Sequence, residues 1–279
     1  FRGFILDMKI DNQHNLINFG TSYRKVIKPT YRLGDCYEAS TYFFVKGFHW
    51  NKFFNHAIEK YKNTPKVNVF SLASSDGSEA YSIAMMLIAK LGEENARKFF
   101  PIIAVDIDRT ITRNARKGFI NLSEGDELRI NKYTGNQLNR FFERTEQRFL
   151  SDKIGGSDRR ELLTKFKIKP ILQDKVVFIT EDLNTYVKKM PDQNNLIFCR
   201  NCWPYLWKTR EEFAAKLSEK TDINSYLIVG DFDDVFCPMN VKNCYGFSMN
   251  KEFPNVFDKS GSNYYDNMRL FFTKIEDDI

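Results

Sequence analysis

Two polar segments attract attention because each follows a short apolar run of the kind that forms a buried strand. Residues 74–79 (SSDGSE) follow the run 67–73, and Asp106 follows the run 101–105. The carboxyl ends of parallel strands meet at one edge of a sheet, where such sheets bind ligands. Gly77 can adopt a positive φ and let a ligand approach the backbone. Amides at the start of the next helix would meet a carboxylate or phosphate, and an acidic residue at the second strand end accepts hydrogen bonds from ribose hydroxyls. These residue types therefore predict a site for a nucleoside-like molecule.

Several other chemistries lack their usual sequence signatures. No G-x-G-x-x-G or G-x-x-x-x-G-K motif occurs, so dinucleotide and P-loop phosphate binding are not indicated. The histidines His14, His49 and His56 are not spaced with other ligand types as a metal site requires, so we predict no metal. The serines near residue 75 lack a G-x-S-x-G context, so a hydrolase triad is not predicted.

The cysteine pattern favours thiols over disulfides. Five cysteines in a chain of this length do not resemble a secreted disulfide framework. Cys199 and Cys202 form a C-x-x-C pair, but Cys237 and Cys244 are spaced too widely to complete a zinc site. A redox pair stays open as an alternative. Buried thiols in or beside a strand are favoured, and they imply a reducing cytoplasm.

The elements that would position these residues follow a strand–helix rhythm. After each of the first two strands a helix is predicted, one with an apolar face over residues 80–91 and one through Ile111 and Ala115 that ends at Gly118. Further strands are predicted at 175–179, 195–199 and 225–230, and a further helix is predicted through residues 213–217. This alternation is typical of a parallel α/β sheet. An aromatic-rich segment with helical spacing, residues 38–62, precedes the first strand.

Length and composition fit one large domain. The chain has 279 residues, of which 42% are hydrophobic and 15% aromatic, enough for a sizeable core. No apolar run reaches ~18 residues and no signal peptide is visible, so we expect a soluble, cytoplasmic protein. We divide the chain into an irregular N-terminal segment, residues 1–37, and a main domain, residues 38–279. Within the main domain, residues about 121–172 break the rhythm and predict a small insertion.

The positive charge of the chain does not by itself indicate nucleic-acid binding. The formal net charge is +6. The basic residues are scattered, however, and Lys165, Lys167 and Lys169 alternate with apolar residues. A solvated, mildly basic surface is therefore favoured over a nucleic-acid interface.

Five segments occur in a fixed order along the chain. They are residues 41–44 (TYFF), 75–85 (SDGSEAYSIAM), 104–119 (AVDID, then ARKGF), 181–183 (EDL) and 197–205 (IFCRN, then Tyr205). Together they resemble the CheR-like S-adenosylmethionine-dependent methyltransferases, which methylate receptor glutamates in bacterial chemotaxis. The resemblance covers roughly residues 38–236. It implies an α/β, Rossmann-like class I methyltransferase sheet with helices on both faces and a small inserted subdomain.

The resemblance implies S-adenosylmethionine as the cofactor and S-adenosylhomocysteine as the product. The implied cofactor-binding residues are Thr41, Ser75, Gly77, Glu79, Asp106, Asp182, Leu183, Arg200 and Asn201. Glu79 and Asp106 would hold the amino-acid and ribose ends of the cofactor. The candidate catalytic residues are Arg200, which could bind a carboxylate or brace its loop, and Tyr205, which could orient the acceptor or line its channel. Plainer alternatives stay open: Asp106 as a helix cap, Arg200 as the structural partner of an acid, and Tyr205 as core packing.

The chain departs from the family pattern at the methyl-accepting side. Val45 stands where the family has an arginine close to the reacting carboxylate, and the adjacent residue is Lys46. Valine cannot hold a carboxylate bidentately as arginine does. Ala39 replaces an asparagine and Ser78 a glutamate, while Asp182 replaces the asparagine of an Asn-Leu pair. We expect the helical N-terminal domain of the family to be missing or cut short. We expect cofactor binding to be retained and acceptor binding to be altered.

The function implied is glutamate O-methylation of an acidic protein, such as the cytoplasmic helix of a chemoreceptor, with weakened activity. Neither membrane insertion nor a nucleic-acid partner is expected. One alternative is a non-catalytic module that binds S-adenosylmethionine or a peptide, and Val45 is its best argument. A further alternative is a nucleic-acid amino-methyltransferase, because residues 202–205 (CWPY) resemble the Asn-Pro-Pro-Tyr loop of such enzymes. Cys202 is a poor hydrogen-bond acceptor, which counts against that alternative.

Overall fold

The computed structural model describes residues 42–150, 162–230, 233 and 247–259, except 46, 207–208 and 254–255. The helices within these residues are α1 (Trp50–Lys60), α2 (Ser78–Ala96), α3 (Arg109–Arg116), α4 (Glu124–Thr134), α5 (Leu138–Phe141), α6 (Pro170–Gln173), α7 (Leu183–Tyr186) and α8 (Arg210–Glu219). The strands are β1 (Asn68–Leu72), β2 (Ile102–Asp106), β3 (Phe119–Ser123), β4 (Phe142–Leu150), β5 (Leu162–Ile168), β6 (Val176–Thr180), β7 (Asn195–Phe198), β8 (Tyr226–Ile228), β9 (Phe247–Met249) and β10 (Val256–Lys259). In the part of the chain that the structure describes, no helix is both long and apolar enough to span a membrane.

The main sheet has the strand order β6-β2-β1-β7-β8-β10-β9. Strands β6, β2, β1, β7 and β8 run parallel. Strand β10 is antiparallel to both of its neighbours, β8 and β9. The predicted α/β, Rossmann-like sheet of mainly parallel strands is therefore confirmed. The chain leaves β1 toward β2 on one side, while β7 lies on the other, so the topological switch point is beside the carboxyl end of β1.

Helices cover both faces of the main sheet because its central strands are apolar on both sides. Val69 of β1 belongs to a core that includes the apolar sides of α1 and α2. Phe70 and Leu72, which point the other way, belong to a second core that includes α7 and α8. The two cores pack on opposite faces of the same sheet. The carboxyl ends of its strands are therefore fixed by packing on both sides.

The aromatic-rich segment with helical spacing, residues 38–62, contains one helix, which begins at Trp50. Phe44 has a φ of +48° and Gly47 a φ of +80°, both incompatible with a continuing right-handed helix. Phe44 is nevertheless buried, and its amide donates to Ser82 Oγ at 3.0 Å. Tertiary packing against α2 therefore overrides the helical spacing of the aromatic residues.

A second, smaller sheet has the order β3-β5-β4, and both pairs are antiparallel. Its apolar side packs on α4 and α5, and these elements share the first core with α2. The second sheet overlaps the predicted insertion at about residues 121–172, but β3 begins before it. The domain boundaries stay a prediction, because residues 1–37 and residues 151–161 of the insertion lie outside the described residues.

Candidate cofactor site

The turn between β1 and α2 brings backbone, rather than bulky side chains, to the carboxyl edge of the sheet. Ala73 and Ser75 have φ values of +57° and +50°, and Gly77 begins α2 with a φ of +89°. A Cβ on Gly77 would lie 2.5 Å from Cζ of Phe178, so only glycine fits there. Ser74 Oγ is buried and has no hydrogen-bond partner among the described residues. The turn thus offers close backbone approach and an unsatisfied hydroxyl.

The start of α2 is capped from within the chain. Asp76 Oδ1 accepts hydrogen bonds from Ser78 N at 3.0 Å and from Ser78 Oγ at 2.7 Å. The sequence pattern predicted that the amides here would meet an anionic ligand. At Ser78 the carboxylate of Asp76, rather than a ligand, accepts the hydrogen bond of the amide.

Asp106 ends β2 and is buried beside the first turn. Its Oδ2 accepts from Ser75 N at 2.8 Å, and its Oδ1 accepts from Asp108 N at 2.9 Å. Burial raises the pKa of Asp106, and the two amides oppose that shift. The alternative that Asp106 caps the next helix is wrong, because Asp108 caps α3 through the amides of Thr110 and Ile111. Each oxygen of the Asp106 carboxylate keeps a lone pair for a further donor such as a ribose hydroxyl.

Glu79 and Arg200 form a buried ion pair between the first turn of α2 and the loop after β7. Glu79 Oε2 lies 3.5 Å from Arg200 Nη1, and Glu79 Oε1 accepts from Ser71 Oγ at 3.1 Å. Burial raises the pKa of Glu79, while Arg200 and Ser71 oppose that shift. The Arg200 guanidinium lies 5.2 Å from the ring centroid of Phe48, and its Nε has no partner among the described residues. The expectation of a structural acid partner for Arg200 is therefore met, and spare hydrogen-bonding capacity remains.

Asp182 and Leu183 follow β6 at the same edge. Glu181 N donates to the main-chain oxygen of Asp106 at 3.0 Å, which places this segment beside the end of β2. Asp182 is exposed, and its side chain accepts from Thr185 N at 3.2 Å as the cap of α7. Leu183 is buried in the second core. The main chain before Asp182 therefore contacts the end of β2, whereas the Asp182 carboxylate is used to cap α7.

The segment that carries the family's entry motif is described only in part. Thr41 and Lys46 lie outside the described residues, as does Ala39. Val45 is half-buried, and its main-chain oxygen accepts from Trp50 Nε1 at 3.1 Å. Val45 therefore places no positive charge at this position. Arg129 lies beside the same segment, because its Nε donates to the main-chain oxygen of Phe43 at 2.9 Å while its Nη2 pairs with Asp126.

The loop after β7 presents Tyr205 to solvent and buries the two thiols. The Tyr205 side chain is 44% exposed, which excludes ordinary core packing as its role. Cys199 and Cys202 are buried free thiols with their Sγ atoms 3.2 Å apart. Burial raises the pKa of Cys199, and the hydrogen bond to Cys199, together with burial, raises that of Cys202. The prediction of buried thiols is confirmed. Because the Cys202 thiol faces Cys199, it is poorly placed to receive a substrate amine.

One residue at this edge was missed by the sequence analysis. Asp233 is fully buried, and its carboxylate accepts from the amides of Gly230, Asn201 and Trp203. The available signal was the cluster of aspartates directly after the strand that ends near residue 229, at positions 231, 233 and 234. Asp233 thereby connects the loop after β8 to the loop that carries Arg200.

These residues fit the groups of S-adenosylmethionine. Asp106 supplies a buried acceptor for a ribose diol, and Glu79 a buried carboxylate for an ammonium group. Gly77 has no side chain to keep a ligand away from the backbone, and Ser74 Oγ has no hydrogen-bond partner among the described residues. Among the described residues, no cluster of three or more His, Cys, Asp or Glu side chains is arranged to hold a metal ion.

Comparison with known proteins matches the same stretch of chain. The family model for the CheR methyltransferase, SAM binding domain, covers residues 39–248. A chemotaxis protein methyltransferase of Borreliella burgdorferi is 30% identical over 204 residues, which are 70% of this chain and 64% of that protein. One of Salmonella typhimurium is 30% identical over 172 residues, 62% of this chain and 52% of that protein. The chain thus spans between half and two thirds of the length of these relatives. Among solved structures, a glycopeptide N-methyltransferase in complex with S-adenosyl-L-homocysteine is 10% identical, with a TM-score of 0.32, and covers 68% of this chain and 54% of that one.

Proposed function

Since the chain belongs to the CheR methyltransferase family and carries its S-adenosylmethionine-binding domain, we propose that it methylates glutamates of a chemoreceptor. The methyl acceptor would be an acidic helix in the cytoplasmic part of the receptor, so the protein would act in the cytoplasm. The observation that carries this proposal is the buried Asp106 carboxylate, held by Ser75 N at the carboxyl edge beside Gly77. Both methyltransferase relatives named above are chemotaxis proteins.

The reaction asks the chain to position two molecules rather than to move a proton. Bound S-adenosylmethionine supplies a methyl group on a sulfonium, which a nucleophile can take directly. A glutamate side chain is ionised at neutral pH and needs no general base. Asp106 would orient the ribose and Glu79 the amino-acid end of the cofactor, while Tyr205, exposed at the same edge, would orient the acceptor or line its channel. Holding the reacting atoms in line, about 3–3.5 Å apart, is the main source of rate enhancement.

We propose slow turnover because of the residues that would bind the methyl-accepting glutamate. A carboxylate that enters the site loses water and needs a compensating positive charge. Val45 cannot supply it, and the buried Arg200 is already engaged with Glu79. An incoming glutamate that approaches Arg200 therefore shares the guanidinium with Glu79 and meets only its remaining N–H donors, Nε among them. A non-catalytic cofactor-binding module is the second candidate, and Val45 is the observation that favours it.

The cofactor site is tested by calorimetric titration of the full chain with S-adenosylhomocysteine. We expect Asp106→Ala to weaken binding by about 1–3 kcal/mol, the loss of charge-assisted hydrogen bonds. Asp108→Ala is a matched control, because the described hydrogen bonds of the Asp108 carboxylate only cap α3 and the variant keeps the main-chain amide that donates to Asp106. It should lower stability by about 1 kcal/mol and leave the affinity unchanged.

Two results would contradict the proposed site. The first is a wild-type chain that shows no binding at millimolar S-adenosylhomocysteine. The second is equal weakening by Asp106→Ala and Asp108→Ala, which would show that general destabilisation, rather than a ribose contact, controls binding.

A further inference from the structure

Asp233 joins two loops that the sheet alone does not connect. Its Oδ2 accepts from Gly230 N at 2.7 Å and from Asn201 N at 2.5 Å. Its Oδ1 accepts from Trp203 N at 3.3 Å. The side chain is fully buried, so water does not substitute for these three contacts. One carboxylate therefore accepts hydrogen bonds from the loop after β7 and from the loop after β8.

The loop after β7 needs such an acceptor because its backbone turns sharply. Asn201 has a φ of +58°, and its side chain crowds Gly230 so closely that a Cβ there would lie 1.9 Å from Asn201 Oδ1. This turn directs the amides of Asn201 and Trp203 inward, where an unpaired N–H is costly. The preceding residue, Arg200, is the one that reaches Glu79. The position of Arg200 therefore depends on where Asn201 is held.

We propose that Asp233 is a positioning residue of the cofactor site, holding the loop after β7 so that Arg200 meets Glu79. On this proposal the ionised carboxylate favours cofactor binding, and its protonation releases the loop and weakens binding. The inference rests on the proposed function, because it assigns Asp233 to the same cofactor site. It adds a residue that the sequence analysis did not single out.

The charges around Asp233 set the direction of its pH dependence. Burial raises the pKa of Asp233 to about 6, while the three amides and the Arg200 guanidinium oppose that shift. The other titratable groups that interact with it among the described residues are the thiols of Cys199 and Cys202, which are protonated at neutral pH. A protonated Asp233 would present a hydroxyl donor to amide donors, so at least one of its three bonds must be lost. Cofactor affinity should therefore fall as the pH drops from 7.5 to 5.5.

The test compares the full wild-type chain with Asp233→Asn and with Val176→Ala. Val176 is a buried residue at the amino end of β6, opposite the site, and controls for general destabilisation. Titration with S-adenosylhomocysteine should show about tenfold weaker binding for Asp233→Asn at pH 7.5 and no change for Val176→Ala. Hydrogen exchange should be faster over residues 199–206 in Asp233→Asn only. Between pH 7.5 and 5.5 the wild type and Val176→Ala should lose more affinity than Asp233→Asn, because an amide does not titrate, while Asp106 and Glu79, whose pKa values burial also raises, are present in all three proteins.

The outcomes separate this inference from the proposed function. Wild-type affinity and loop protection in Asp233→Asn, or the same pH profile in all three proteins, would overturn the positioning role. A wild-type chain that binds no S-adenosylhomocysteine would overturn the proposed function, and loop exchange would still decide whether Asp233 holds the loop. If Asp233→Asn does not fold, the wild-type pH series decides. Loss of affinity together with loss of loop protection, after correction for intrinsic exchange rates, supports the inference, and a flat series overturns it.

Discussion

Replacing Gly77 with alanine should disturb both stability and cofactor binding. Gly77 begins α2 in a left-handed conformation, with a φ of +89° and a ψ of 2°. The added Cβ would lie 2.5 Å from Cζ and 2.7 Å from Cε1 of Phe178, and 3.3 Å from Cε2 of Tyr81. Ordinary carbon contacts are about 3.5–4.0 Å, so the buried Phe178 ring must move by roughly 1 Å or the turn must shift.

The expected cost has two parts. A left-handed conformation costs a non-glycine residue roughly 1–2 kcal/mol. Overpacking against Phe178 adds about 1–3 kcal/mol. Gly77→Ala should therefore lower the free energy of unfolding by about 2–5 kcal/mol, which a domain of typical stability, roughly 5–15 kcal/mol, can survive.

Gly135→Ala is the matched control. Gly135 also has a left-handed conformation, with a φ of +69° and a ψ of 50°, where it ends α4. Nothing lies within 4 Å of the position its Cβ would take. It should therefore cost only the backbone term, roughly 1–2 kcal/mol. The difference between the two variants isolates the overlap with Phe178, and Phe178→Leu in the Gly77→Ala background should recover part of that difference.

Urea denaturation measures the two costs, and calorimetry with S-adenosylhomocysteine measures the functional consequence. A shift of the turn that carries Ser75 would separate it from Asp106, so Gly77→Ala should also weaken binding by about tenfold or more. Gly135→Ala should bind as the wild type does. Equal costs for the two alanines, or wild-type affinity in Gly77→Ala, would refute this account of the turn.

Two further predictions concern charge at the site. Because breaking a buried ion pair leaves an uncompensated charge, Glu79→Gln and Arg200→Met should each lower the free energy of unfolding by about 3–5 kcal/mol, and the double variant by clearly less than the sum. Urea denaturation measures this, and strict additivity would show that the 3.5 Å contact carries no coupling. Val45→Arg should lower the barrier to glutamate methylation by about 2–4 kcal/mol, the effect of one preorganised charged donor. Initial rates on a receptor fragment measure it, and a neutral or harmful effect would mean that another residue positions the acceptor.

The strand ends were predictable because their signals are local. Apolar runs bounded by turn residues located β1 and β2, and Gly77 and Asp106 lie where those runs stop. The turn chemistry of residues 74–79 and the carboxylate after β2 do not depend on the rest of the fold. Sequence therefore sufficed for the parallel strands of the main sheet and for the positions of Gly77 and Asp106 at their carboxyl ends.

The remaining features depend on contacts that local patterns do not encode. The partner of Arg200 is Glu79, 121 residues away along the chain. The sequence analysis predicted an insertion but did not predict strands β3 to β5 in it, because their pairing is non-local. Phe119, at the start of β3, is also exposed, so it gave no sign of a buried strand. The helix of the aromatic-rich segment begins only at Trp50, because Phe44 packs back on α2. Asp233 accepts hydrogen bonds from the loop after β7 and the loop after β8, and a local sequence pattern does not show that these loops are neighbours.

The central claim is methyl transfer to glutamate from a cofactor held by Asp106. The most direct measurement incubates the full chain with S-adenosylmethionine labelled in its methyl group and a chemoreceptor cytoplasmic fragment, and then counts label that mild base releases as methanol. We predict slow formation of this base-labile ester by the wild type and by Asp108→Ala, and its loss in Asp106→Ala. No ester in the wild type despite firm S-adenosylhomocysteine binding, or label transferred to DNA instead, would contradict the account.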